Sequence, residues 1–257
     1  MTTFQSIILG VVEGLTEFLP ISSTGHMILT SHFLHVVDSA TLVTFEIVVQ
    51  LGAILAVVAS YYKKLLNIEM IKKLIVAFIP TGIAGVTVFQ YIKHLLGSPK
   101  LVAVMLVVGG IIILLVERRY KKQKHTDEIQ NAVDISYKQA FILGCFQALA
   151  IIPGTSRSGA VIVGGLLQKM SRKMLVEFSF LLAVPTMFVA TAYTILRKHN
   201  DLSLESVSPI VIGTIASFIV SFAVIRFALA YIRKHSFEVF GWYRIVVGII
   251  LLLVLWR

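Results

Sequence analysis

Charge is scarce in this chain. Asp, Glu, Lys and Arg make up only 14% of its 257 residues while 57% are hydrophobic, a balance that would leave a soluble domain with most of its apolar side chains wet. A water-soluble fold is excluded and a lipid-embedded one expected. Cysteine is nearly missing: Cys145 is the single copy, so no internal disulfide can form, and its apolar surroundings suit a small packing residue better than a nucleophile. Lys and Arg are absent from positions 1 to 62. The apolar stretch from Phe4 to Leu19 therefore lacks the basic n-region of a signal peptide, and it carries Glu13 and Glu17 inside the run, so it reads as part of the mature protein.

The charge that is present has one sign in excess, +10 overall. Such a surplus would ordinarily raise nucleic-acid binding, but the basic residues lie in short turns between apolar runs, where they set orientation in a bilayer. Runs long enough to cross roughly 30 Å of hydrocarbon fall near 41–62, 74–92, 101–117, 175–196, 208–229 and 242–256. Two further regions, 4–36 and 139–168, are apolar but interrupted by Pro, Gly and Ser-rich breaks. Each leaves half-length helices of the kind that enter and leave a membrane on one face, and both read as re-entrant hairpins. With this assignment sixteen Lys and Arg fall on one side and five on the other, Arg157 and Arg244 being set aside as intramembrane. The positive-inside rule then sends both termini outward, the first hairpin entering from outside and the second from the cytoplasm.

The two halves, 1–120 and 137–257, resemble each other within a single membrane domain. Gly10, Glu13 and Leu15 align with Gly144, Gln147 and Leu149 at an offset of 134, and Pro20 and Ser23 with Pro153 and Ser156 at 133. Val107, Val108 and Gly109 recur as Val246, Val247 and Gly248. A repeat of one hairpin and three crossings must be inverted relative to its copy, because three is odd, and such repeats bring their breaks together near the midplane. The expected fold is all-α: six transmembrane helices and two re-entrant helical hairpins in an inverted-topology repeat.

Polar residues inside such a fold are the candidates for chemistry. Glu13 and Glu17, four apart, share a helix face at about 5–6 Å. With no Lys or Arg before position 63 to neutralise them, they suit a divalent cation, Mg²⁺ or Ca²⁺, whose shell is completed by substrate phosphate; a structural pair, one acid being protonated or capping a helix, is the alternative. The first break holds Ser22, Ser23, Thr24 and His26. Hydroxyls at a helix start often only cap, but an imidazole there can act as base or nucleophile, and Ser23, three residues earlier, is a candidate nucleophile. The second break, Pro153 to Gly159, opens a helix with Gly154, Thr155, Ser156 and Ser158 around Arg157. A helix start with accessible N–H groups binds anions, and a guanidinium matches phosphate oxygens.

The strings EGLTEFLPISSTGH, from Glu13 to His26, and PGTSRSG, from Pro153 to Gly159, resemble the two signature motifs of the bacterial undecaprenyl-diphosphate phosphatases of the BacA/UppP type. The resemblance extends over essentially the whole chain. It implies hydrolysis of undecaprenyl diphosphate to undecaprenyl phosphate and inorganic phosphate, recycling of a cell-wall lipid carrier, and bacitracin resistance. It further implies metal and catalytic roles for Glu13 and Glu17, nucleophile and base roles for Ser23 and His26, and a diphosphate-binding role for Arg157. Val161 stands where the family pattern has Thr, so no hydroxyl comes from that position. The motif pair of the type-2 phosphatidic acid phosphatases is absent: Ser156-Arg157 and Ser171-Arg172 lack a His six residues after the Arg.

The expected partners are a polyprenyl diphosphate lipid and the bilayer of a bacterial plasma membrane, without nucleic acid; a homodimer stays open. The competing class is a lipid-phosphate flippase or anion transporter, which would use the same phosphate pocket but has no need of two acids beside a Ser and a His.

Overall fold

In hydrocarbon every backbone N–H and C=O must find a partner within the chain, so uninterrupted apolar runs become helices. The computed structural model describes residues 1–37, 40–88, 98–122, 132–198, 204–232 and 234–255. These form α1 (Thr3–Thr16), α2 (Ser23–Phe33), α3 (Ala40–Leu65), α4 (Ile68–Thr87), α5 (Pro99–Lys121), α6 (Tyr137–Ala148), α7 (Arg157–Leu167), α8 (Arg172–Lys198), α9 (Leu204–Ile232) and α10 (Glu238–Leu255), with short 3₁₀ turns at Ala132–Asp134 and Leu149–Ile151 and no strand among the described residues.

Six of these, α3, α4, α5, α8, α9 and α10, are long and apolar enough to cross a membrane, as the sequence predicts. Their outward faces are apolar, with Ile83, Leu115, Ile219, Phe227 and Leu253 all exposed, which suits hydrocarbon and not water. The second crossing starts at Ile68 instead of the predicted 74, and its predicted end at 92 lies outside the described residues. Lys72 and Lys73 hide this start from a hydropathy reading; in the fold Lys72 pairs with Glu69 at 2.8 Å and the ammonium of Lys73 donates to the Val133 carbonyl. Lys93, His94, Lys124, His125, His199, Arg233, Trp256 and Arg257 also lie outside the described residues.

The four short helices have 14, 11, 12 and 11 residues, about 17–21 Å at a 1.5 Å rise, well under the hydrocarbon thickness. Two of them start the same way. Thr2 and Gln5 form a capping box at the start of α1, and Ser136 and Gln139 form one at the start of α6, so each opens with its first N–H groups satisfied. Helix α1 lies on α9 and α6 on α4, while α5 pairs with α10 and α3 with α8 and α9. Close approach needs small residues where packing alone drives association. A Cβ at Gly10 would run into the Gly213 carbonyl, and one at Gly144 into that of Ala77.

Cys145, next to Gly144, is exposed, which corrects the expectation of a packing residue: the small neighbour takes the interface and turns the thiol away from it. The basic helix ends gather at one end of the bundle. There Lys64 pairs with Glu177, Lys121 with Glu238 at 2.7 Å, and Arg172 clasps the fully buried Glu117 through two bonds of 2.9 and 2.8 Å. The Phe237 N–H also donates to Glu117, at 2.7 Å, so the starts of α8 and α10 are fastened to the end of α5.

Candidate active site

Helix α1 ends at Thr16, Pro20 removes the N–H that would have bonded back to the Thr16 carbonyl, and the chain turns through Phe18–Ile21 before α2 begins. The turn closes at Ser22, whose backbone takes φ 70 and ψ 98. The second break closes in nearly the same way, with Ser156 at φ 70 and ψ 115 before α7. A non-glycine residue with positive φ is strained and marks a site of interest. Gly154 sits at φ 87, and a Cβ there would meet the Val102 carbonyl at 2.6 Å, so only glycine fits this close pass against α5.

The breaks touch. Ser158 Oγ donates to the Leu19 carbonyl at 3.0 Å, and the Phe18 and Phe180 rings meet edge-on at 4.9 Å. Between them lies a buried polar chain. Glu17, 6% exposed, accepts from Arg157 Nη2 at 3.1 Å on Oε1 and from Ser23 Oγ at 2.6 Å on Oε2. Arg157 Nη1 donates to the Ser179 carbonyl at 2.7 Å, and its Nε is buried without a partner. The sequence reading found no cation to neutralise the acids because it looked only nearby; Arg157, 140 positions later, neutralises Glu17. Glu13 is 1% exposed and its Oε1 has no partner. Glu46 of α3 adds a third acid near Glu13, and Glu177 of α8 pairs with Lys64.

Arg157 is the first residue of α7, which leaves the N–H groups of Arg157 and Ser158 outside the helical ladder. Ser156 caps the start by accepting from the Gly159 N–H at 3.2 Å, and its hydroxyl lies 3.2 Å from that of Ser158. Thr155 Oγ1 is buried without a partner, Ser22 is buried, and Thr24 is exposed at the start of α2. All the predicted site residues therefore lie on the two converging breaks and the helix ends beside them.

One predicted pairing does not form. The Ser23 hydroxyl goes to Glu17 and not to His26, whose Nδ1 lies 2.8 Å from the Ser22 carbonyl and whose Nε2 lies 2.8 Å from the Tyr243 hydroxyl. On a helix, positions three apart are neighbours, but Glu17 and Tyr243 compete for the two groups and win. Sequence reasoning also passed over Arg244, set aside only as an intramembrane charge. It is fully buried, and it donates to the carbonyls of Pro20 (3.3 Å), Gly154 (2.9 Å), Met105 (3.0 Å) and Leu106 (3.3 Å). One guanidinium thus ties both breaks to α5. Its signal was present: a lone Arg in an apolar span must face polar groups inside the protein.

Fold and site together define a multi-pass helical membrane protein with a buried acid, hydroxyl and guanidinium cluster where two broken segments meet. The chain matches the family model of bacitracin resistance protein BacA over residues 6–250. It is 47% identical to an undecaprenyl-diphosphatase of Sulfurihydrogenibium sp. over 97% of this chain and 98% of the relative. It is 48% identical to that of Persephonella marina, over 98% and 99%, and 46% identical to that of Methanococcus aeolicus, over 98% of each. The chain belongs to the BacA family.

Proposed function

We propose that this protein hydrolyses undecaprenyl diphosphate to undecaprenyl phosphate and inorganic phosphate, recycling the lipid carrier for cell-wall synthesis and conferring bacitracin resistance. The relatives' names supply the substrate. The observation that carries the reading is the Arg157–Glu17–Ser23 bridge, which joins an anion-binding group to a candidate nucleophile in a buried setting. A flippase or anion carrier would need the guanidinium and the helix start, but it has no use for a hydroxyl seated on a carboxylate.

In the mechanism, Arg157 and the free N–H groups at the start of α7 take the phosphoryl oxygens and stabilise charge developing on them. Glu17 accepts the Ser23 proton across their 2.6 Å contact as Ser23 Oγ attacks the terminal phosphorus. Undecaprenyl phosphate leaves with the bridging oxygen. Water, giving its proton to His26, then attacks the phosphoserine, and the Ser23 oxygen leaves with the proton held by Glu17, releasing inorganic phosphate. If His26 activates water directly instead, Ser23→Ala retains activity; loss of activity together with loss of a phosphoserine trapped in the wild type supports the covalent route.

Glu13 and Glu17 fit a divalent cation, Mg²⁺ or Ca²⁺. The supporting observation is Glu13 Oε1, a carboxylate oxygen buried without a partner beside a second acid, which suits hard cations that complete their shell with phosphate and water. Held by these two side chains, such a cation would supply Lewis-acid polarisation of the diphosphate oxygens.

The same proposal covers the architecture. The paired α1–α2 and α6–α7 segments are re-entrant hairpins of an inverted repeat whose site opens to the outer face, with both termini outside. Supporting this, an offset of 134 relates Thr2 to Ser136, Gln5 to Gln139, Gly10 to Gly144 and Ser22 to Ser156, through matching caps, close contacts and φ values. That offset sets Ser23 opposite Arg157 in place of Ser156. The test is phosphate release from undecaprenyl diphosphate by the detergent-purified protein, with and without chelator, beside Glu17→Ala and Arg157→Ala. Release that needs metal and both side chains is expected; none from a folded wild type would turn the reading toward transport.

A further inference from the structure

Neither motif reaches α10, yet α10 closes the site. Tyr243 brings its hydroxyl to 2.8 Å from His26 Nε2, and the two rings lie nearly parallel, their planes 4° apart with centroids at 5.6 Å. The other ring nitrogen, Nδ1, faces the Ser22 carbonyl at 2.8 Å. A carbonyl oxygen only accepts, so Nδ1 carries the proton, and in the neutral ring Nε2 must accept from the Tyr243 O–H. The lone pair that would take a proton is therefore the one this tyrosine holds.

Tyr243 is itself held. Its chain neighbour Arg244 is locked by the carbonyls of Pro20, Gly154, Met105 and Leu106, so the backbone that carries the phenol is fixed to both breaks at once. Movement of α10 against α2 would break those bonds before it freed the ring. Tyr243 is 42% exposed and the adjoining Trp242 more so, which puts the hydroxyl at the rim of the site, where an arriving water or phosphoryl oxygen can replace it on Nε2.

We propose that Tyr243 is a positioning residue for His26: with Nδ1–H fixed by the Ser22 carbonyl, its hydroxyl donates to Nε2 and holds the ring so that this lone pair stays turned toward α10 at the site. The proposal rests on the phosphatase reading for its kinetic consequence but not for its spectroscopic one. Tyr243→Phe removes a single oxygen and keeps the ring, so the fold is retained. It is expected to lower kcat about tenfold, the effect of one hydrogen bond, with KM for undecaprenyl diphosphate unchanged. In a His26→Ala background the same substitution is expected to do nothing further. Independently, ¹⁵N spectra of the imidazoles, with the His26 signal assigned by its loss in His26→Ala, are expected to show the Nδ1–H tautomer in both proteins and an Nε2 resonance displaced in Tyr243→Phe, where its donor is gone. An unchanged kcat in Tyr243→Phe, or an equal loss with and without His26, overturns the role in an active enzyme. If the folded wild type releases no phosphate, the phosphatase reading fails and the spectra alone decide: an unchanged His26 signal in Tyr243→Phe overturns the positioning role, and a displaced Nε2 signal sustains it.

Discussion

The two breaks share a backbone and divide the chemistry. Each ends in a serine at φ 70 that opens a helix, and nine residues before each serine stands a buried polar side chain, Glu13 in one and Gln147 in the other. Gln147 is neutral, and its amide donates to Thr81 at 2.9 Å and Thr186 at 3.1 Å. Each keeps one side-chain oxygen without a partner, Glu13 Oε1 and Gln147 Oε1, so the difference between them is the carboxylate and not the open oxygen. After the serine the first break has Ser23 and the second Arg157, and these two meet on Glu17. The lesson is that one local geometry, a short helix started by a strained serine, presents an acid and a hydroxyl on one arm and a guanidinium on the other.

The comparison breaks most severely if the arms are disconnected. Arg157→Ala leaves Glu17 buried without its guanidinium, and removing one partner of a buried ion pair costs about 3–5 kcal/mol. Phosphate release is expected to fall about a thousandfold as the phosphoryl charge loses its stabiliser. Thermal unfolding in detergent and the phosphate assay read the two effects separately, and activity within tenfold of wild type would mean that the second arm does not bind the diphosphate.

Glu13→Gln makes the first arm copy the second at this position. The variant is expected to fold as well as the wild type, since an amide costs less to bury than an unpaired carboxylate. Its phosphate release is expected to fall about a hundredfold and no longer to rise with added Mg²⁺, the effect of a lost charge clamp. A variant that still responds to the cation would move the metal away from Glu13.

The scaffold beneath the arms can be tested as a pair. Gly10→Ala and Gly144→Ala each push a methyl into a backbone carbonyl of the helix alongside, an overpacking that costs about 1–3 kcal/mol. If the halves are equivalent, the two losses in unfolding stability match; a loss at one position only would show that the α1–α9 and α4–α6 contacts carry different loads.

The sequence made the helices and breaks legible because lipid punishes any other arrangement of apolar runs, and because Pro20 and Gly154 stand beside clusters of hydroxyl residues; Pro80, Pro185 and Pro209 lie inside helices, so a proline alone marks no break. Glu17 and Arg157 were legible as intramembrane charges. Their direct pairing, the diversion of Ser23 from His26 to Glu17, and the roles of Tyr243 and Arg244 were not. Ser23 and Glu17 are only six apart but lie on either side of the turn, where no helical period holds, while Arg157 and Glu17 are 140 apart and Tyr243 and His26 are 217 apart, which no periodicity encodes. Arg244 came nearest to being found, since a buried guanidinium needs acceptors, but its acceptors are backbone carbonyls, which every residue has. Cys145 failed for the opposite reason: in a membrane protein an apolar neighbourhood in sequence does not separate the packed face of a helix from the lipid face.

The smallest expected effect concerns Val161, where the family pattern has Thr. Val161 is fully buried in the core that also holds Phe18, Ile162 and Phe180, so a hydroxyl there would have to be satisfied. A threonine in a helix can return its hydroxyl to the carbonyl four residues earlier, here that of Arg157. Because Thr and Val have nearly the same shape, Val161→Thr is expected to change unfolding stability by less than about 1 kcal/mol and to leave phosphate release as it is. A gain of tenfold or more would show that a hydroxyl at 161 reaches the phosphoryl group and that the second arm of this protein lacks a group which the family pattern supplies.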